Sequence, residues 1–214
     1  MKQLILWLIA IMAAFLPNLT FARPVSYPDG WTLMGQNDSF ENTIHLHYTP
    51  QRNFSVGYKT MYNRVNHAEF HGIQLNTLLK RINKRNSQAN FYLKSGIGTE
   101  RLENNMQTAA GFIGFAADWE DRDYFIMYEN HYHDNSGQQH EFMQKARIGI
   151  TPYVGSYGDL HTWIMLQAEH RPNALHSADQ LVFTPMIRLF YGDYLAEFGI
   201  SDRKKAMFNF TIRH

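Results

Sequence analysis

The chain has 214 residues, with 20 Lys plus Arg against 19 Asp plus Glu, no Cys, and 14% aromatic residues. That balance gives no basic surface for nucleic acid or an anionic membrane, and without Cys neither a disulfide framework nor a lipid-anchored N-terminal Cys is available. Mean hydropathy is −0.40, and no stretch beyond the leader approaches the ~20 apolar residues of a membrane-crossing helix.

The leader "MKQLILWLIAIMAAFLPNLTFA" carries Lys2, an apolar run from Leu4 to Leu16, Pro17 as a breaker, and short residues before a cut after Ala22. This is the layout of a cleaved secretory signal peptide. The expected organisation is a signal peptide over 1–22, a periplasmic N-terminal segment over 23–30, and one β-domain over 31–214.

From Trp31 onward, polarity alternates with period two. Candidate strands are Trp31–Gln36, then the hairpin within Glu41–Tyr62, then Gly72–Ile82 and Ala89–Gly98. They continue with Ala109–Trp119, Asp123–Tyr132, Phe142–Val154, Leu160–His170, Leu181–Tyr191, Tyr194–Ile200 and Ala206–Arg213. The reading is about twelve strands. Turns near Pro50, Asn86, Asp121, Tyr157 and Gly192 are short. The connections between them ("NRVNHAEFH", "TERLENNMQT", "HDNSGQQHE", "RPNALHSADQ") read as longer and polar.

One parity collects Ile44, Leu46, Tyr48, Phe54, Ile113, Phe115, Ile126, Ile148, Ile164, Ile187 and Phe208. The other collects the ionic residues Lys59, Lys94, Asp118, Glu129, Lys145, Arg147, His161, Glu169, Arg188 and Glu197. A water-soluble periplasmic β-sandwich or lipocalin-like carrier would bury the first set; a membrane barrel would turn it to lipid and line its lumen with the second. Aromatics near strand ends, short turns opposite long loops, and the export leader favour an all-β, antiparallel, up-and-down transmembrane β-barrel in the outer membrane.

At "RPVSYPDGWTLMGQND", "LHYTP", "SQANFYLKSGIG", "GFAADWEDRDYF" and "GDLHTWIMLQ" the chain resembles a family of uncharacterised Gram-negative envelope proteins of the small outer-membrane β-barrel type. The resemblance implies an association with copper and heavy-metal efflux genes, hence a link to efflux machinery. The layout is also similar to small outer-membrane channels for acidic sugars. Those channels display arginine-rich tracks, whereas this chain mixes Lys59, Lys94, Lys145, Arg147 and Arg188 with Asp118, Glu129, Glu169 and Glu197. It also ends in His214 after Arg213, rather than in an aromatic residue.

Eleven His and ten Met are the remaining chemical signal, since imidazoles suit Cu, Zn and Ni and thioethers suit Cu(I). Residues two apart on a strand share a face, so His45 and His47 form one candidate metal pair. Glu129, His131 and His133, with His140 nearby, form a second set, and His161, Met165 and Glu169 a third. No G-x-S-x-G, P-loop, dinucleotide fingerprint or EF-hand is present, and an enzyme is not expected. The functional expectation is a narrow pore, or a ligand-lined barrel, for small polar or ionic solutes. The alternative is a copper-binding envelope protein supporting metal tolerance. The expected partners are outer-membrane lipid and a small solute or metal ion, with no nucleic acid.

Overall fold

The computed structural model describes residues 25–137, 140–155, 158–172 and 180–214. The expected signal peptide, 1–22, lies outside the described residues. The strands are β1 Gly30–Asn37, β2 Glu41–Gln51, β3 Phe54–Asn63, β4 Ala68–Asn83, β5 Gln88–Arg101 and β6 Gln107–Glu120. They continue as β7 Tyr124–Asp134, β8 His140–Ile150, β9 His161–Arg171, β10 Gln180–Tyr191, β11 Tyr194–Ile200 and β12 Ala206–Arg213. Each pairs antiparallel with its chain neighbour, and β1 pairs with β12, so the sheet closes into a barrel of twelve strands. Trp31 and His214 complete the seam, exchanging N–H···O bonds of 2.7 and 2.9 Å.

Local chemistry sets the turns. Asp38 Oδ1 accepts from the N–H groups of Phe40 and Glu41, and Asp121 Oδ1 does the same for Asp123 and Tyr124, each holding a tight Asx-type turn. Gly192 supplies the positive φ, 56°, that the β10–β11 turn requires. Closure to a barrel leaves no unpaired sheet edge.

The facing read from the sequence holds along the barrel. Ile44, Leu46, Tyr58, Ile113, Ile126, Ile148, Ile164, Ile187 and Phe208 are exposed on the outer wall. His45, His47, Ser55, Lys145, Arg147, Glu169 and Glu197 are buried on the inner one. An exposed apolar wall around a closed barrel is the surface that meets a bilayer, and it places the chain in the outer membrane.

Two expectations change. The connections on the rim opposite the termini are short, spanning 38–40, 64–67, 102–106, 135–139, 172–179 and 201–205. The longest connection, 151–160, lies on the rim that carries the termini. Ala68–His71 belongs to β4, because its outward positions are Glu69 and His71 rather than apolar residues and so hide the alternation. Val25 is buried against Leu78, Tyr92 and Ala116, which are inward-facing residues of β4, β5 and β6.

Candidate functional site

The inner wall carries charged networks and apolar clusters in layers. At the rim opposite the termini, the β1–β2 turn folds over the lumen. Phe40 is buried there, and the Arg171 guanidinium lies 4.6 Å from its ring centroid. Arg171 also bonds Glu41 at 2.9 Å, Glu141 at 2.5 Å and Glu169 at 2.9 Å. Lys145 sits between Glu169, at 3.1 Å, and Asp38, at 3.6 Å. Asn63 donates to Glu141 across 2.8 Å. Strands β1 to β3 lie on one side of the barrel and β8 and β9 on the other, so these contacts bridge the lumen.

The burial of Asp38 beside Glu169 and Glu41 raises its carboxyl pKa above the ordinary value, although Lys145 and Arg171 pull the other way. Burial is the largest cause, and it penalises the charged form.

Further down, Glu197 is the hub of a second network. It accepts from Arg188 at 2.7 Å and Asn209 at 2.7 Å, and pairs with Arg147 at 3.2 Å. Arg147 also donates to Gln167. On the facing wall Lys94 bonds Glu129 at 2.6 Å. Nearer the termini Asn90 links Arg81 to Asp118, while His161 packs against Phe190.

Aromatic residues occupy the spaces between. Phe70 packs edge-on to Phe112, and His131 lies edge-on to Phe112 with centroids 4.7 Å apart. The Lys59 ammonium sits 4.6 Å over the Phe112 ring. Gly96 makes room for that ring, since a Cβ there would overlap it. Phe125, Met165, Met186 and Met207 form another inward cluster, with Met127 and Trp163 beside it.

All the ionic residues expected to line the lumen do face it, but the expected metal set divides. His45 and His47 face each other with centroids 4.6 Å apart. Glu129 is taken by Lys94, and His133 Nε2 by Glu100 at 2.9 Å. Among the described residues, no group of three or more His, Cys, Asp or Glu is placed to hold a metal ion. Reading by polarity missed Arg171, Glu41, Asp38 and Glu141, which sit at strand ends and in a turn where alternation fades. It also left out the inward Phe70, Phe112, Phe125, Met186 and Met207, because an apolar residue on either wall looks the same in sequence.

No protein-family model matches the chain, and no curated protein matches it. Among solved structures it is similar to a KdgM porin in complex with disordered oligogalacturonate, with 8% identity, 86% of this chain and 98% of that chain covered, and a TM-score of 0.51. Weaker likenesses are the NanC porin, at 11% identity, 85% and 98% coverage and a TM-score of 0.43, and Omp33 of Acinetobacter baumannii, at 10%, 89% and 99%, and 0.40. At such identity the shared property is the fold, a small closed antiparallel β-barrel.

Proposed function

We propose that this barrel is a channel for small polar or ionic solutes, closed at rest by the ion pairs that bridge its lumen. The observation that carries this reading is the pairing of the inward cations: Lys94, Lys145, Arg147, Arg171 and Arg188 each contact a carboxylate. The similar KdgM porin was solved with an acidic oligosaccharide. In this chain a polyanion would have to displace Glu129, Glu169, Glu197 and Glu41 from their cations. A charge-balanced lumen favours a small solute, charged or zwitterionic, with little discrimination by sign. The test is a planar-bilayer recording of the purified protein under a KCl gradient. The proposal expects discrete openings with a reversal potential near zero; a strongly anion-selective pore, or no conductance at any voltage, would contradict it.

One observation favours a second reading, in which the barrel binds copper. His45 Nε2 and both ring nitrogens of His47 are buried without hydrogen-bond partners, and Met34 is the cross-strand neighbour of His45. Unpartnered imidazole nitrogens with a thioether beside them match the ligand preferences of Cu(I). Titration of the refolded protein with Cu(I) should then show saturable binding that the double variant His45→Ala/His47→Ala lacks. Equal binding by that variant would remove the reading.

A further inference from the structure

The outer wall is not uniformly apolar. On β10 and β11, at the rim away from the termini, Leu181, Phe183 and Ile200 are 48%, 42% and 65% exposed. At the same rim, β3 to β5 present a hydrogen-bonded polar cluster instead. His71 bonds Tyr58 Oη through Nδ1 at 2.8 Å and Glu69 through Nε2 at 3.1 Å. Glu69 also accepts from Arg101, whose side chain remains 54% exposed. Tyr62 reaches His67 at 3.0 Å on the same face. All these strand residues share the parity of Val56, Ile73 and Ile97, the apolar outer wall.

The register fixes the shape of the patch. Tyr62, Glu69 and Arg101 form the row nearest the rim, and Thr60, His71 and Thr99 the next. Below them the wall turns apolar within one step, at Ile73 and Ile97, which are 61% and 75% exposed. An Arg on the lipid face is costly at the bilayer midplane and nearly cost-free near the interface. The row of Arg101 therefore belongs at headgroup level, with Ile73 and Ile97 against acyl chains, and the leaflet is the outer one because an even-stranded barrel keeps both termini on the periplasmic rim and Arg101 lies at the opposite rim.

We infer that this face holds a phosphorylated glycolipid of the outer leaflet, with the lipid's phosphate on Arg101 and its sugar hydroxyls on Tyr58 and Glu69, which His71 orients. Three features point to that occupant. The guanidinium keeps free edges that can grip a phosphate in bidentate fashion, while Glu69 fixes its orientation. Glu69 and Tyr58 Oη, both held in place by His71, give hydroxyl groups acceptors, and the Arg101 N–H groups not bound to Glu69 give donors. The step from polar to apolar wall matches a molecule with a polar head directly above acyl chains. The inference rests on the barrel lying in the outer membrane, not on the lumen conducting solute.

The experiment is native mass spectrometry of the folded full-length protein in detergent. The probes are diphosphorylated lipid A, the same lipid with its phosphates removed, and phosphatidylethanolamine. Diphosphorylated lipid A should be retained, with binding at least about tenfold weaker in Arg101→Gln and in His71→Gln, and nearer the parent in Arg101→Lys. A heat-modifiability gel on each variant separates lost binding from lost folding. Equal retention of dephosphorylated lipid A or of phosphatidylethanolamine, or undiminished retention by folded Arg101→Gln, would overturn the inference.

Discussion

Arg171 and Glu41 are separated by 130 positions in the chain and meet across the lumen at 2.9 Å. Glu41 begins β2 and Arg171 ends β9, so the contact joins opposite walls beneath the β1–β2 turn. Arg171 also holds Glu141 and Glu169, which makes one guanidinium the common partner of three carboxylates drawn from two sides of the barrel.

Replacing Arg171 by Ala should therefore act twice. It leaves Glu41, Glu141 and Glu169 crowded without their shared cation, and removing one partner of a buried ion pair costs about 3–5 kcal/mol. It also unties the turn from the far wall. Urea unfolding in lipid vesicles should show the loss of stability, and bilayer recordings should show a higher open probability than the parent. Unchanged values in both would mean that the contact neither stabilises nor closes the barrel.

Asp38 gives the closure a pH dependence. Its pKa is raised by burial first and by Glu169 second, so its ionised form is the disfavoured one in the fold. Its linkage contribution is thus present below the ordinary carboxylate range and lost as pH rises through the raised value. Acidification neutralises Asp38 at a higher pH than an ordinary Asp, and its attraction to Lys145 then disappears. Conductance should rise as pH falls through that window. Asp38→Asn keeps the side-chain oxygen that accepts from Phe40 and Glu41, and should abolish this rise while folding normally.

At the other mouth, Val25 lies among Leu78, Tyr92 and Ala116. Val25→Glu would bury a charge in an apolar setting and should expel the segment. The chain lacks Cys, so Ser26→Cys offers a single labelling site. Maleimide labelling of Ser26→Cys should be slow in the parent background and several-fold faster with Val25→Glu. Equal rates would place the segment outside the lumen.

The outer wall can be probed at Ile113, near the middle of β6 and 53% exposed. In a bilayer, Ile113→Lys should cost ~2–4 kcal/mol. A barrel surrounded by water would tolerate it with almost no change. Unfolding of the variant in lipid vesicles distinguishes the two.

Which wall each strand residue faces was legible because strand periodicity is strict. Once His45 faces inward, His47 must as well, and Ile44 and Leu46 must face out. Polarity was a poorer guide where both walls carry the same chemistry. Glu69 and His71 are polar yet outward, so they read as loop, and Phe112 is aromatic yet inward, where its type gives no sign of the lumen. The pairing of Arg171 with Glu41 depends on how the closed sheet brings β9 opposite β2, and no local pattern encodes that distance. The division of the metal candidates has the same origin: Glu129 and His133 sit on one strand, but Lys94 and Glu100 come from β5 to claim them.

In this fold the apolar wall faces lipid and the ionic wall faces an enclosed lumen. The most direct measurement is a heat-modifiability gel on the protein extracted from outer membranes. A closed barrel gives a compact, detergent-resistant band in the unheated sample that changes mobility after boiling. Recovery of the protein in the soluble periplasmic fraction, with one mobility before and after heating, would contradict it.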